Sequence, residues 1–159
     1  MMFEDNVLQK TVAFVIERHN GQFRNDGTTP YVTHPITVAM MCLQKGTDAD
    51  FAVVALLHDV LEDTDTTEEE LREIYPKDIV DDVVALTKDP ARKGEYLESL
   101  HKENIRVRTV KAADRLHNLR DAKTPHWKKA YLKTTREFLL PMAKGTVFYD
   151  ELKWECDNE

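Results

Sequence analysis

Cysteine and glycine are scarce in this chain of 159 residues, which has two cysteines and five glycines. Cys42 and Cys156 are too few for a disulfide framework, and neither has a second cysteine at metal-binding spacing. We therefore expect free thiols in a reducing compartment, which predicts a cytoplasmic location. The N-terminal segment MMFEDNVLQK also lacks the basic start and apolar stretch of a secretion signal.

Long hydrophobic runs are missing as well. No apolar stretch approaches the roughly 20 residues that a membrane helix needs, so we expect no membrane partner. Apolar residues make up 42% and charged residues 32%, a composition typical of a globular protein. The length and the lack of repeats or linkers predict a single domain over residues 1–159.

Positive charge is in deficit overall, since the formal net charge is −7 at pH 7. A nucleic-acid backbone is bound by clustered lysine and arginine, so the sequence predicts no nucleic-acid partner. The charge is nevertheless uneven, because residues 102–136 hold eleven Lys or Arg and three Asp or Glu. This basic segment suits a small anionic ligand, or it is a helix face solvated by water.

Alternating strand patterns are also absent, and glycine and proline fall between segments with helical periodicity, which predicts an all-α fold. The expected helices lie near 5–19, from Pro35 to just before Gly46, from Asp48 through ALLHDVLEDT, from a Thr67–Glu70 capping box to before Pro76, and at 77–87, 94–120 with a break near Asn104, and 125–143. Residues 144–159 fit either a last helix or packing against a partner, and the oligomeric state stays open.

The segment ALLHDVLEDT places His58, Asp59, Glu62 and Asp63 directly after a strongly apolar run. A carboxylate beside apolar surface is costly unless something positive neutralises it, and a lysine, an arginine or a metal ion could do so. Mixed imidazole and carboxylate ligands suit Mn, Fe, Zn or Ni. The alternative is a solvated helix end that leads into the acidic segment EDTDTTEEE.

Three further segments carry candidate site residues. His34 stands directly before Pro35 in YVTHPITVA, and the preceding loop RHNGQFRNDG contributes His19, Gln22 and Arg24. In VKAADRLHNLRD, Asp114 and Asn118 share a helix face, with Lys111 one turn before. An aspartate within such an apolar pattern needs a partner, and a salt bridge to Arg115 or Arg120 is the simplest explanation.

Together these segments resemble a known family. The pattern of His34, His58-Asp59 and Asp114 resembles the metal-binding signature of HD-domain phosphohydrolases. Three segments look like the corresponding motifs of RelA/SpoT-type alarmone hydrolase domains and occur in the same order: GQFRNDGTTPYVTHPITVA, ALLHDVLEDT and VKAADRLHNLRD. A fourth segment, TREFLLPMA, resembles the family's closing helix. The resemblance covers about residues 7–143 and implies an all-helical HD-domain bundle with a metal site in a central cleft.

The resemblance implies an activity and roles for individual residues. Family members remove the 3′-pyrophosphate from guanosine tetra- and pentaphosphate, usually with Mn²⁺, which makes the partner a small nucleotide. The implied metal ligands are His34, His58, Asp59 and Asp114. Glu62 and Asp63 match the family's Glu-Asp pair, which positions or deprotonates the attacking water. The implied substrate contacts are Arg24 beside the base, Lys111 and Arg115 toward the polyphosphate, Asn118 near the ribose or 3′-phosphate, and Thr135.

Two departures from the family pattern bear on nucleotide specificity. Asn25 follows Arg24 where the family usually has a lysine, and TKDPARKGEYLESLHKEN holds few recognisable family residues. No synthetase region follows, so the chain resembles the small hydrolase-only branch. Three alternatives remain: an HD-domain enzyme for another nucleotide, such as a 5′-nucleotidase, a non-catalytic nucleotide sensor, or a plain helical interaction domain.

Overall fold

The backbone is helical in a computed structural model of the chain, which describes residues 6–92 and 94–159. Within these two ranges there is no strand, and a single antiparallel bridge joins Phe23 and Pro30. The predicted all-α fold is therefore confirmed. The chain divides into two compact units, the first ending at Thr87 and the second beginning at Lys88. The single domain expected over 1–159 stays a prediction.

The first unit is built around a helix that is apolar on every side. Its helices are α1 (Val7–Arg18), α2 (Thr33–Gln44), α3 (Ala49–Leu57), α4 (Val60–Asp63), α5 (Glu68–Ile74) and α6 (Lys77–Leu86). All six residues of α3 from Ala52 to Leu57 are buried, and α3 packs against α1, α2 and α6. A helix without a polar face can be stable only when neighbours cover it on all sides, so α3 forms the centre of this unit.

Local signals in the sequence set several helix ends in this unit. The predicted capping box is present: Thr67 Oγ1 accepts from the Glu70 backbone N–H at 3.2 Å, and Glu70 accepts from the Thr67 N–H at 3.0 Å. Gly46 has a φ of 78°, the left-handed conformation that favours glycine after a helix end. The first helix was expected from about residue 5, which lies outside the described residues.

The second unit has one long helix through its core. Its helices are α7 (Glu95–Ser99), α8 (Ile105–Asp121), α9 (Pro125–Thr134), α10 (Leu140–Met142) and α11 (Tyr149–Asp157), with short 3₁₀ turns at Pro90–Arg92 and Leu100–Lys102. Helix α8 packs against α9 and α11. The break expected near Asn104 is confirmed, because the Asn104 side chain caps α8 by accepting from the Val107 N–H at 3.0 Å.

The helix predicted over 125–143 is present in three parts. A widened π turn, Thr135–Leu139, lies between α9 and α10. This turn directly precedes α10, which contains Pro141. Because a proline has no N–H to donate to the carbonyl four residues back, the regular helical hydrogen bonding cannot continue through this position. The open question about residues 144–159 is answered in part, because Tyr149–Asp157 forms a last helix.

Both cysteines are free, as the sequence predicts, and the structure shows that both are buried. Burial raises the pKa of the Cys42 thiol to about 12, so it is an inert packing group at neutral pH. Among the described residues, no helix combines the length and apolar character needed to cross a membrane.

Candidate metal centre

The helix expected to run through ALLHDVLEDT is interrupted where the site residues lie. Helix α3 ends at Leu57, α4 begins at Val60, and His58 and Asp59 form the turn between them. The prediction of one continuous helix is therefore wrong. The interruption has a consequence for chemistry, because adjacent residues on a regular helix point about 100° apart. In this turn, His58 Nε2 lies 3.1 Å from Asp59 Oδ2.

A second imidazole comes from the start of α2. His34 is buried, and its Nε2 lies 3.7 Å from the same Asp59 Oδ2. The rings of His34 and His58 are 5.2 Å apart, close to perpendicular. Potential ligand atoms of His34, His58 and Asp59 all lie within 4.8 Å of one another. The first unit therefore brings together three of the four residues predicted to bind a metal.

The orientation of the His58 ring is set by the backbone of α3. His58 Nδ1 lies 2.6 Å from the carbonyl oxygen of Ala55. This contact requires the proton on Nδ1, so in the neutral ring the lone pair is on Nε2, the nitrogen that faces Asp59. A second ring nitrogen held by a carbonyl is the usual arrangement of a metal-binding histidine. Two buried imidazoles and one carboxylate fit a divalent transition metal.

Tyr31 is a site residue that the sequence reasoning missed. Its hydroxyl lies 2.6 Å from Asp59 Oδ2 and 3.1 Å from Asp63 Oδ2, and can donate to either carboxylate. Burial and the charges of the two aspartates raise the pKa of Tyr31 above its ordinary value, so the hydroxyl remains protonated. The one available signal was its position three residues before His34, at the end of a polar loop.

The predicted Glu-Asp pair lies on α4, and both residues are exposed. Partial desolvation and the neighbouring charge of Asp59 raise the pKa of Asp63, although the hydrogen bond from Tyr31 acts in the opposite direction. A carboxylate whose pKa is raised toward neutrality is a better proton acceptor than an ordinary aspartate.

The loop between α1 and α2 contacts the same region. His19 is buried, its Nδ1 lies 2.8 Å from Gln22 Oε1, and Gln22 Nε2 donates to the backbone oxygen of Asp63 at 2.6 Å. The predicted base contact, Arg24, has its guanidinium over the Tyr31 ring at 5.7 Å from the centroid. The loop residues singled out in the sequence therefore lie around Tyr31.

In the second unit, Asp114 is the centre of a polar group on α8. Lys111 Nζ donates to Asp114 Oδ2 at 2.8 Å, and Asn118 Nδ2 donates to Oδ1 at 2.8 Å. Burial alone would lower the pKa of Lys111, but the Asp114 charge outweighs it and raises that pKa, so the lysine stays charged. The expected partners of Asp114 were Arg115 or Arg120; the ion pair at 2.8 Å is with Lys111, and the Asp114 charge also acts on Arg115, where it opposes the lowering of the pKa by burial.

Those two arginines have structural contacts. Arg120 donates to Glu151 at 2.8 Å and to Glu155 at 3.1 Å. Arg115 donates to the Tyr131 carbonyl at 3.2 Å and to the hydroxyl of Thr134 at 2.7 Å.

Thr135, a predicted substrate contact, is fully buried, and its hydroxyl donates to the Tyr131 carbonyl at 2.6 Å. A nucleotide contact at Thr135 would need this hydroxyl to change partners, so that role stays a prediction.

Comparisons with known proteins identify relatives of this chain. A family model described as HD domain matches residues 11–144. The chain is 36% identical over 150 residues to guanosine-3′,5′-bis(diphosphate) 3′-pyrophosphohydrolase MESH1 of Danio rerio, which covers 87% of this chain and 83% of that protein. It is 39% identical over 140 residues to a guanosine-3′,5′-bis(diphosphate) 3′-pyrophosphohydrolase of Haemophilus influenzae, covering 80% of this chain and 20% of that protein. The chain thus spans about a fifth of the length of this larger relative.

Two solved structures share the fold. One is described as a metazoan ortholog of SpoT that hydrolyzes ppGpp; it superposes with a TM-score of 0.82, is 27% identical, and the match covers 99% of this chain and 95% of that one. The second, lmo0812 from Listeria monocytogenes, has a TM-score of 0.65 at 24% identity, with coverage of 80% and 94%, and shows the fold alone.

The helical fold and the His/Asp cluster define an HD-type metal-binding domain. The chain belongs to the HD domain family. Within that family it is similar to the small pyrophosphohydrolase MESH1 and to SpoT-type proteins. This similarity agrees with the resemblance of its sequence motifs to RelA/SpoT-type domains. An HD-domain hydrolase with this donor set implies a divalent metal.

Proposed function

We propose that this chain hydrolyses guanosine 3′,5′-bis(diphosphate) and the corresponding pentaphosphate, releasing pyrophosphate and leaving GDP or GTP. The observation that carries the proposal is the similarity to MESH1, a small relative named for this activity, over 87% of this chain and 83% of that protein. Water forms the new bond to the phosphorus nearest O3′, the bond from that phosphorus to O3′ breaks, and O3′ takes up a proton.

The proposed metal ligands are His34, His58, Asp59 and Asp114, with Mn²⁺ as the resident ion. The first three are supported by their mutual distances within 4.8 Å and by the ring orientation of His58. Asp114 is supported by its match to the last position of the HD signature. Mixed imidazole and carboxylate donors suit Mn²⁺, though not uniquely. When bound, the metal supplies Lewis-acid activation of water and of a phosphoryl oxygen.

Protein groups would handle the proton and the substrate. Asp63, with its raised pKa, and the neighbouring Glu62 are proposed to orient the attacking water and receive its proton. Lys111, Asn118, Arg24 and Thr135 remain the proposed substrate contacts. Lys111 and Asn118 are supported by the shared carboxylate that holds both side chains in position.

A product-resolved assay tests the proposal. Protein loaded with Mn²⁺ should convert the tetraphosphate to GDP and pyrophosphate in equal amounts. Orthophosphate release from the 5′ end would instead indicate a 5′-nucleotidase, and tight binding without turnover would indicate a nucleotide sensor. Either result would contradict the proposal. Repeating the assay with Zn²⁺, Fe²⁺ and Ni²⁺ tests the choice of metal.

A further inference from the structure

The Tyr31 hydroxyl lies between the carboxylates of Asp59, a proposed metal ligand, and Asp63, a proposed proton acceptor. It is 2.6 Å from Asp59 Oδ2 and 3.1 Å from Asp63 Oδ2. The same Asp59 oxygen faces the Nε2 atoms of His58 at 3.1 Å and of His34 at 3.7 Å. The phenol therefore contacts the same oxygen of Asp59 that faces both imidazoles.

The ring that carries this hydroxyl is held on several sides. His19 lies 5.0 Å from it between ring centroids, His34 lies 6.1 Å away edge-on, and the Arg24 guanidinium lies 5.7 Å from its centroid. The Tyr31 backbone N–H donates to the Gln22 carbonyl at 2.8 Å. A side chain held in this way can impose its position on flexible carboxylates.

A second contact from the same loop reaches the main chain of α4. Gln22 Nε2 donates to the Asp63 carbonyl oxygen at 2.6 Å, and Gln22 Oε1 is held by His19 Nδ1 at 2.8 Å. His19 is only 2% exposed. The loop thus contacts Asp63 twice, through Tyr31 at the carboxylate and through Gln22 at the backbone.

We propose that Tyr31 is a positioning residue that ties the metal-binding carboxylate of Asp59 to the proton-accepting carboxylate of Asp63, while Gln22 anchors the backbone of Asp63 alone. The part of this inference that concerns turnover rests on the proposed function. Hydrogen bonds to ligating carboxylates orient them, and their loss typically lowers metal affinity or activity about 10- to 100-fold. Loss of the Tyr31 hydroxyl should therefore affect both metal binding and turnover, and loss of the Gln22 amide should affect turnover only.

The test uses Tyr31→Phe, which removes one oxygen and keeps the ring. Mn²⁺ affinity, measured by calorimetry without substrate, should fall about 10-fold or more. At saturating metal, kcat should fall about 10-fold or more while KM changes little, because the change affects positioning and not substrate binding. Gln22→Met should keep wild-type Mn²⁺ affinity and lower kcat severalfold.

Tyr75→Phe is a matched control in the same unit. Tyr75 is a buried tyrosine whose hydroxyl donates to Thr11 at 3.1 Å and whose ring contacts Phe14 edge-on, and neither partner is a site residue. It should lose thermal stability without losing Mn²⁺ affinity or kcat. If Tyr31→Phe binds Mn²⁺ and turns over like the wild type, or matches Tyr75→Phe in both, the inference is overturned.

The two readouts separate this inference from the proposed function. Wild-type protein that releases no pyrophosphate, combined with a Tyr31→Phe variant of weakened Mn²⁺ affinity, would refute the function and support the link to Asp59. Wild-type turnover with an unaffected Tyr31→Phe variant would refute the inference and leave the function standing.

Discussion

Asp59 in the first unit and Asp114 in the second are buried or nearly buried carboxylates that the HD signature treats alike, yet their partners differ in charge. Asp59 faces two imidazoles and a phenol, of which the phenol is neutral. Asp114 is paired with the ammonium group of Lys111 and the amide of Asn118. Asp114 contacts an ammonium group of its own helix, whereas Asp59 lies among the imidazole and phenol groups of the candidate metal site. We therefore expect the larger loss of metal affinity from substitutions around Asp59.

The largest effect on metal binding and activity should come from removing a side chain that surrounds Asp59. His58→Ala removes an imidazole whose Nε2 lies 3.1 Å from Asp59, and Mn²⁺ binding and pyrophosphate release should both fall to background. Calorimetry and the product assay measure the two losses. Circular dichroism should show an unchanged helix content. Full activity with bound metal in His58→Ala would refute the ligand assignment.

A large effect on stability should follow from removing the lysine that is paired with Asp114. Lys111→Met removes the ammonium group that contacts Asp114, whose side chain is 8% exposed, and this should destabilise metal-free protein by about 3–5 kcal/mol. Denaturant unfolding measures the loss. The exposed pair of Lys153 and Asp157 provides the control, since Lys153→Met should change stability little.

The same variant tests whether Asp114 also binds the metal. A divalent cation bound to Asp114 would replace part of the missing positive charge, so Mn²⁺ should restore part of the stability lost in Lys111→Met. An equal loss with and without Mn²⁺ would argue that Asp114 is only the partner of Lys111.

A smaller effect, on turnover alone, is expected from the acidic pair. Glu62→Gln should leave Mn²⁺ affinity unchanged while kcat falls on the order of 10²-fold, as expected when proton transfer is lost. The exposed Glu69 in the following segment is a matched control, and Glu69→Gln should keep wild-type kcat. If Glu62→Gln loses the bound Mn²⁺, Glu62 is a metal ligand and not only a proton acceptor. The first unit would then supply one more metal ligand than the comparison assumes.

The smallest effect concerns a carboxylate that needs no metal. The capping contact with the Thr67 backbone lowers the pKa of Glu70 below its ordinary value. A carboxylate with a lowered folded-state pKa stabilises the fold above its unfolded pKa, and this contribution is lost as the pH falls through the folded value. Wild type should therefore melt slightly higher than Glu70→Gln at pH 7, and the difference should shrink in acid. A difference that grows in acid would contradict this.

The parts of the fold that sequence could predict are those that depend on neighbours along the chain. The capping box at Thr67 and the break at Asn104 are local contacts, and both are confirmed. The interruption at His58-Asp59 was missed because the apolar pattern continues on both sides of it. Only the packing around α3 distinguishes a turn from a continuous helix at that point.

The site was predictable in residue type but not in partners. His34, His58 and Asp59 were found from spacing and family resemblance, and the structure brings them together. The hydroxyl of Tyr31 reaches Asp59 across 28 positions, and no local pattern encodes such a contact. The pairing of Asp114 with Lys111 was available at i, i+3 spacing, but the sequence analysis favoured Arg115 or Arg120, two of the four arginines on the same helix.

Anomalous diffraction from crystals grown with Mn²⁺ tests the central claim most directly. We predict a single strong manganese peak within bonding distance of His34, His58 and Asp59, and loss of that peak in Asp59→Asn crystals grown in the same way. A manganese peak elsewhere, or an empty site at those three residues under saturating Mn²⁺, would contradict the metal-dependent hydrolase described above.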